Sequence, residues 1–336
     1  MKISRKETFP GGLVLIDGMT GTGKTIFTKL FDLSDDMNFT KFNYNLEQIC
    51  VLAGLNMINK EAAISQIKLI TDLDRFNFSI SREINLRPSD LSSIWNSRKR
   101  FQYIYKLFSS KEPEQVLFQN PKDLVYIVHQ LLDLSDLLAE VYPSNIKNIL
   151  CMRHPLYLFN HWNSYVNNHG ANPRDLTILK DFENDDIPWF ISRSEKEFSN
   201  SDSYNKAAIA ITELTLRSLD FIKRKKGSRD FVIVDFEKFV LSPEKYIAQI
   251  SNIFDIKVNM IKKCLKKENI PRKHINGSVQ KKIYKRYYAD NLKTELSHKE
   301  DYVFLKNQIK SQVNEKIWTE FEKSIEEYEK EFGLWF

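Results

Sequence analysis

Short runs of consecutive apolar residues alternate along this chain with longer segments in which apolar residues recur every three or four positions. The runs Leu13–Ile16, Ile146–Met152 and Phe231–Asp235 predict strands that are buried on both faces of a sheet. A shorter strand is predicted within residues 38–45, and the triplet Val116–Phe118 is also strand-like. These runs are the candidates for one central sheet.

Segments with the helical period lie between and after these strands. Helices are predicted at Ile26–Phe31, Leu46–Leu55, Lys60–Leu73, Leu91–Phe108, Leu124–Tyr142, Pro155–Asn168, Tyr204–Lys226, Pro243–Phe254 and about 300–332. Residues 169–187 and 265–280 have the composition of loops.

The alternation of strands and helices predicts an α/β fold with a central, mainly parallel sheet and helices on both faces, the three-layer arrangement of P-loop NTPase-like proteins. No internal repeat, low-complexity linker or clear domain boundary is apparent, so we expect residues 1–336 to form a single domain. Within it, residues of about 56–115 are predicted to be a helical insertion, and one helix is expected at about 300–332.

Composition limits the class of protein further. Hydrophobic residues make up 42% of the 336 residues and aromatic residues 12%, which is enough for a sizeable core. The net charge of +6 is accompanied by no nucleic-acid motif, so we expect no nucleic-acid partner. The cysteines Cys50, Cys151 and Cys264 are far apart and have no metal or disulfide spacing. Neither a signal-peptide pattern nor a long apolar segment occurs, so we expect a cytoplasmic protein without a transmembrane segment.

A glycine-rich loop follows the first predicted strand and precedes the first predicted helix. It fits the pattern G-x-x-x-x-G-K-T, with Gly18, Gly23, Lys24 and Thr25 at the fixed positions. In such a loop the backbone wraps a phosphate, successive N–H groups point inward, and the helix N-terminus adds its positive dipole end. Lys24 adds a full positive charge, and Thr25 adds a hydroxyl for an oxyanion or a magnesium ion. We therefore predict a phosphate-binding loop.

Basic residues follow or lie near two further elements. Arg153 ends the strand Ile146–Met152, at the sheet edge where α/β proteins bind ligands, and its guanidinium suits bidentate phosphate binding. A polar loop contains Arg272, Lys273 and Gly277, which could close over an anionic ligand. In each case the alternative is that the basic residues occupy ordinary solvent-exposed positions in a turn or a loop.

Two acidic residues follow the strand that begins at Phe231. Asp235 is placed like the magnesium carboxylate of nucleotide hydrolases and kinases. In a second interpretation, Asp235 and Glu237 are structural groups that hydrogen-bond neighbouring loops and orient the site. The proline-started helix at Pro243 favours the second interpretation, for the reason that follows.

Together these segments resemble the sulfotransferase family. Its members have a P-loop-like turn after the first strand, often G-x-x-R-S-G-T-T, then a strand ending in R-x-P, then a late strand running into (Y/F)-E-x-(L/F) and a proline-started helix. The matching segments here begin at Gly18, Arg153 and Phe236, the last leading to Pro243. The segment that leads from Val141 to Arg153 is also similar to the corresponding segment of the family. The resemblance covers residues of about 10–280.

The resemblance implies 3′-phosphoadenosine 5′-phosphosulfate (PAPS) as the donor of a sulfuryl group, with no metal required. The P-loop residues Gly21, Thr22, Gly23, Lys24, Thr25 and Ile26 would hold the 5′-phosphosulfate. Arg153 would hold the 3′-phosphate, and the loop with Arg272, Lys273 and Gly277 would cover it. The partners expected are this nucleotide and an acceptor with a hydroxyl or amine group, a glycan or a small molecule.

The chain departs from the family pattern at three points. The usual basic residue aligns with Gly21, and the positive charge lies instead at Lys24, as in NTPases. The serine expected eight residues after the arginine aligns with His161, although Ser164 could substitute. The family's acceptor base is a Glu or His beyond the first helix, and Glu47 is the best-placed candidate. Lys24 would stabilise charge that develops on the bridging oxygen, and Glu47 would accept the acceptor's proton.

Two other functions stay open at this point. A P-loop kinase or NTPase would use ATP or GTP, with Thr25 and Asp235 holding magnesium. A binding protein that retains the fold would take up the nucleotide and transfer nothing.

Overall fold

The computed structural model describes residues 5, 8–90, 92–109, 112–166, 176–183, 185–275 and 296–336. The strands are β1 (Leu13–Asp17), β2 (Lys41–Phe42), β3 (Leu124–Ile127), β4 (Ile146–Met152), β5 (Leu179–Phe182), β6 (Asp185–Pro188) and β7 (Phe231–Asp235). The helices are α1 (Thr25–Phe31), α2 (Tyr44–Gly54), α3 (Lys60–Ser79), α4 (Arg100–Leu107), α5 (Pro113–Gln119), α6 (Asp136–Val141), α7 (Pro155–Val166), α8 (Glu195–Ser199), α9 (Ser203–Lys225), α10 (Phe236–Leu241), α11 (Glu244–Phe254), α12 (Val258–Lys267), α13 (His298–Gln312) and α14 (Glu315–Phe332). Short 3-10 helices lie at Ile94–Asn96 and Leu132–Ser135.

Five strands form one parallel sheet in the order β2-β3-β1-β4-β7. Every residue of β1 and β3 is buried, so helices and loops cover both faces of the sheet, since successive side chains point to opposite faces. The carboxyl ends of the central strands lie side by side, with Ile16 opposite Ile127 and Asp17 opposite Leu150. The predicted α/β fold with a parallel sheet is confirmed.

Aromatic and aliphatic side chains pack the helices onto this sheet. Phe27 and Phe31 of α1 lie 5.2 and 4.7 Å, centroid to centroid, from Phe239 of α10 and Phe254 of α11. The long helix α9 is buried over most of its length against α7 and α14. The two phenylalanine contacts hold α1, which directly follows the glycine-rich loop, against α10 and α11.

The predicted helix Leu124–Tyr142 is wrong. Its first part is β3, which lies between β2 and β1, and only Asp136–Val141 is α-helical. The apolar run at Leu124–Ile127 belongs to a strand buried on both faces, and such a run cannot be distinguished from a helical segment by periodicity when leucines at helical spacing follow it.

Four smaller differences have local causes. Val116–Phe118 lies in α5, which begins at a proline, and not in a strand. The strands β5 and β6 pair antiparallel within a segment that was expected to be a loop. The helix expected at about 300–332 is two helices, because the side chain of Asn314 caps a new helix by accepting from the N–H of Lys316. Residues 258–267 add the amphipathic helix α12, which the sequence interpretation missed. That residues 1–336 form one domain stays a prediction.

Candidate active site

The glycine-rich loop connects β1 to α1 and is packed tightly against the site. Gly21 and Gly23 have φ values of 93° and 89°, a conformation that glycine adopts without strain. A Cβ atom on Gly21 would lie 2.9 Å from the ring of His161, and one on Gly23 would lie 2.3 Å from the ring of Phe236. Both positions therefore require glycine, since any side chain would collide with rings that belong to the site.

The Lys24 ammonium is held inside this loop. Its Nζ donates to the carbonyl oxygens of Gly18 and Met19, at 2.5 and 2.9 Å. Burial lowers the pKa of Lys24, and the negative charges of Asp17 and Glu47 oppose that lowering. The charge of Lys24 therefore lies within electrostatic reach of two carboxyl groups, one at the end of β1 and one on α2.

Thr22, Thr25 and Ile26, at the end of the loop and the start of α1, present different groups to a ligand. Thr22 is buried, and its hydroxyl donates to the carbonyl oxygen of Met19 at 2.8 Å, so its side chain stabilises the loop. Thr25 begins α1 and is partly exposed. Ile26 is buried in the hydrophobic core, so only its backbone can face a phosphate.

Asp17 ties the end of β1 to the chain that follows β3. Its carboxylate accepts from the backbone N–H groups of Gly18, Leu131 and Leu132, at 2.7, 3.2 and 2.7 Å. Burial raises the pKa of Asp17, and these hydrogen bonds oppose that rise. The residues directly after β3 are thus fixed beside the glycine-rich loop.

One of those residues is His129, which pairs with Glu47. The Glu47 carboxylate is 7% exposed, accepts from the backbone N–H of His129 at 3.0 Å and lies 3.2 Å from its ring Nδ1. The His129 ring is nearly parallel to the rings of Phe42 and Tyr44, with centroids 6.0 and 6.1 Å away. A histidine oriented by a carboxylate is an arrangement suited to general base chemistry.

Arg153 follows β4 and contacts both other motifs. Its Nη1 donates to the carbonyl oxygen of Gly21 at 2.8 Å, and its guanidinium lies 4.9 Å from the ring centroid of Phe236. Its Nε lies 3.7 Å from Glu237, which is fully buried. Glu237 also accepts from the backbone N–H of His154 at 3.2 Å. Burial raises the pKa of Glu237, and the charge of Arg153 opposes this.

These contacts agree with the second interpretation of the two acidic residues. Glu237 orients the arginine, as a structural group. Asp235 caps α10 by accepting from the backbone N–H of Lys238 at 3.3 Å, and its other oxygen lies 3.9 Å from the Lys238 ammonium. Among the described residues, no group of three or more His, Cys, Asp and Glu side chains is arranged to hold a metal ion.

His161 lies within electrostatic reach of the two cationic residues, Arg153 and Lys24. Its ring is in contact distance of Gly21, and the side chain is 8% exposed. Burial, together with the positive charges of Arg153 and Lys24, lowers the pKa of His161 to about 4. The neighbouring Trp162 donates its indole N–H to the carbonyl oxygen of Thr20 at 3.0 Å, which fixes α7 against the loop.

The late basic loop reaches the site in part. The Arg272 guanidinium lies 5.9 Å from the ring centroid of Phe236, on which Arg153 also packs. Lys273 is exposed, and Gly277 lies outside the described residues. The structure therefore brings Arg272 close to the predicted phosphate site and leaves Lys273 at the surface.

The main omission from the sequence interpretation is His129. It directly follows the apolar run that ends at Val128, and a polar residue after a buried parallel strand lies at the ligand-binding edge of the sheet. Because a helix was expected there, that signal was missed. Glu47 was identified, but its histidine partner was not.

The fold is similar to several solved structures, all at low identity. A sulfotransferase domain from the curacin biosynthetic pathway is 12% identical with a TM-score of 0.42, covering 90% of this chain and 99% of that one. A sulfotransferase domain from the Synechococcus PCC 7002 olefin synthase is 13% identical with a TM-score of 0.38, covering 92% and 98%. Retinol dehydratase, solved in complex with androsterone and the inactive cofactor PAP, is 12% identical with a TM-score of 0.33, covering 96% and 82%.

No family model matches the chain, and no curated protein matches it. Within the described part of the chain, no helix has both the length and the apolar character needed to cross a bilayer.

Proposed function

We propose that this protein transfers a sulfuryl group from PAPS to the hydroxyl or amine of an acceptor, a glycan or a small molecule. The observation that carries the proposal is the convergence of three elements at one sheet edge. These are the glycine-rich loop with Lys24, the buried Arg153 that donates to that loop, and the Glu47–His129 pair.

The charges of the site fit a nucleotide with two phosphate-bearing ends. The loop residues from Gly21 to Ile26 would hold the 5′-phosphosulfate, with Lys24 near the group that leaves. Arg153 would bind the 3′-phosphate, with His161 beside it and Arg272 approaching from the late loop. The positive φ values of Gly21 and Gly23 let the backbone curve so that its N–H groups can surround such an anion, and the rings packed against both glycines leave no room for a side chain.

The Glu47–His129 pair supplies the acid–base part. The acceptor oxygen or nitrogen would attack sulfur in line, its proton would pass to His129, and the bond between sulfur and the 5′-phosphate oxygen would break. The charge left on that oxygen would be stabilised by Lys24 and the loop N–H groups. Glu47 would hold the imidazole in position and stabilise its protonated form. The role proposed for Glu47 therefore moves from base to partner of the base.

The test is transfer itself. The protein is incubated with PAPS and, in separate reactions, with a phenol, an aliphatic alcohol, an amine and an oligosaccharide, and the formation of 3′-phosphoadenosine 5′-phosphate (PAP) is followed by chromatography. Acceptor-dependent PAP formation that is lost in His129→Asn supports the proposal. Unchanged PAPS in every reaction, with magnesium-dependent transfer of the γ-phosphoryl group from ATP to one of the same acceptors, would establish the kinase alternative instead.

A further inference from the structure

A buried carboxylate on α3 connects the two chain segments that carry the acid–base pair. Asp74 is 4% exposed and accepts three hydrogen bonds. Lys41 Nζ donates to its Oδ1 at 2.5 Å, while the Asn43 amide and the Tyr126 hydroxyl donate to its Oδ2, both at 2.7 Å. All three donors come from the sheet edge or the turn before α2, and none from α3 itself.

The first connection runs to Glu47. Asn43 is the N-cap of α2, and its Oδ1 accepts from the backbone N–H of Leu46 at 3.0 Å. The amide of Asn43 thus bonds Asp74 with its nitrogen and the helix with its oxygen. Because Glu47 is the next residue, the side chain that orients His129 starts from a helix turn whose position Asp74 fixes.

The second connection runs to His129. Tyr126 lies in β3 three residues before His129, and it is fully buried. Its hydroxyl shares the same carboxylate oxygen with the Asn43 amide. One oxygen atom of Asp74 therefore joins the strand that leads to His129 and the helix cap that leads to Glu47.

We propose that Asp74 is a positioning residue for the Glu47–His129 pair; its importance for turnover rests on the sulfotransferase function proposed above. Asp74 sets the relative position of α2 and β3, and so the hydrogen bond between Glu47 and the His129 backbone N–H. Removing the partners that orient metal ligands typically costs about 10- to 100-fold in affinity or activity, and we expect a loss of turnover of similar size for Asp74→Asn.

The same helix offers a matched control. Asp72 is two residues away and 2% exposed, and its carboxylate accepts from the Arg5 side chain at 2.5 Å and the Phe9 backbone N–H at 2.7 Å. It has the same charge and similar burial, but its partners lie in the N-terminal segment. Asp74→Asn and Asp72→Asn therefore compare two buried carboxylates on one helix.

The experiment records amide signals of protein labelled with 15N only at histidine. The chain has six histidines, and the His129 signal is identified by its loss in His129→Asn. Glu47→Ala, which leaves no side-chain acceptor, defines the shift that follows when this amide loses its hydrogen bond. We expect Asp74→Asn to move the signal in the same direction and Asp72→Asn to leave it in place. Tyr126→Phe, which removes only a hydroxyl, should cause a smaller shift of the same sign.

A folded Asp74→Asn protein whose His129 signal is unmoved would overturn the proposal. If Asp74→Asn does not fold, an unmoved signal in Tyr126→Phe does the same. The kcat of the double variant Asp74→Asn/Glu47→Gln should fall by less than the product of the two single losses, because Asp74 acts on turnover through Glu47. Failure of the wild-type protein to bind PAP would contradict the proposed function, while the amide signals would still decide whether Asp74 positions the pair.

Discussion

The Glu47 carboxylate meets His129 at two points, accepting from its backbone N–H at 3.0 Å and lying 3.2 Å from its ring Nδ1. The backbone bond fixes where the residue lies, and the contact with the ring fixes which way the imidazole points. The opposite ring nitrogen, Nε2, is left as the one that can exchange a proton with an acceptor.

Removal of the proposed base, His129, should strongly reduce turnover and leave nucleotide binding unchanged. We expect His129→Asn to lower kcat by about 100- to 10,000-fold, the usual contribution of a general base. The dissociation constant for PAP should stay unchanged, because the base acts on the proton of the acceptor and the acceptor is absent from the complex with PAP. Steady-state kinetics with PAPS and calorimetric titration with PAP measure the two quantities. His298→Asn is the control, and an equal loss of kcat in that variant would contradict the assignment.

Lys24→Met should separate catalysis from product binding. The ammonium stabilises charge that develops only as the sulfuryl group leaves, so kcat should fall by about 100-fold or more while the affinity for PAP falls far less. Lys29→Met, on the helix α1 that follows Lys24 and paired with Glu268 at the surface, should change neither quantity. Equal losses of kcat and PAP affinity in Lys24→Met would remove the catalytic role from this residue.

Arg153→Lys should weaken nucleotide binding although the charge is kept. A lysine cannot donate to the Gly21 carbonyl, pack on the Phe236 ring and bind a phosphate at the same time. We expect the affinity for PAP to fall by about 10- to 100-fold, and the affinity for adenosine 5′-phosphosulfate, which lacks the 3′-phosphate, to fall much less. Arg217 pairs with Asp133, away from the proposed phosphate site, so Arg217→Lys serves as the control and should leave both affinities unchanged. A uniform loss for both nucleotides would place the 3′-phosphate elsewhere.

His161 should make the folded state sensitive to acid. Its pKa is lowered from 6.5 to about 4, so the folded protein binds fewer protons than the unfolded chain between these values. The corresponding stability is fully present above pH 6.5 and is lost as the pH falls towards 4. Urea unfolding at pH 7 and pH 4.5 should therefore reveal a loss that is smaller by about 2 kcal/mol in His161→Gln than in the wild type. Equal pH dependence in the wild type and His161→Gln would contradict the shift.

Local patterns of the sequence were sufficient to predict where the glycine-rich loop and Arg153 lie relative to the strands, while phosphate binding by them stays a prediction. The strand before the glycine-rich loop, the loop itself and the strand before Arg153 each depend on residues that are adjacent in sequence. Of the pair that the structure brings together, Glu47 and His129, the sequence patterns singled out only Glu47. His129 follows an apolar run that also fits a helix, and only the pairing of β3 with β1 and β2 decides between the two.

The remaining features depend on contacts between distant residues. Glu237 lies 84 positions from Arg153, and Asp74 lies 52 positions from Tyr126, so no pattern of neighbouring residues could have joined them. The break between α13 and α14 is a different case. It depends on a single asparagine cap within a segment whose helical periodicity continues on both sides.

Binding of the nucleotide tests the central claim most directly. Thermal unfolding is followed with PAP, ATP and GTP, each with and without magnesium, and a ligand that binds only the folded state raises the melting temperature by mass action. The account predicts stabilisation by PAP that needs no magnesium and is much reduced in Arg153→Lys. Stabilisation by ATP or GTP that requires magnesium, with no response to PAP, would contradict it and assign the loop to a kinase or NTPase.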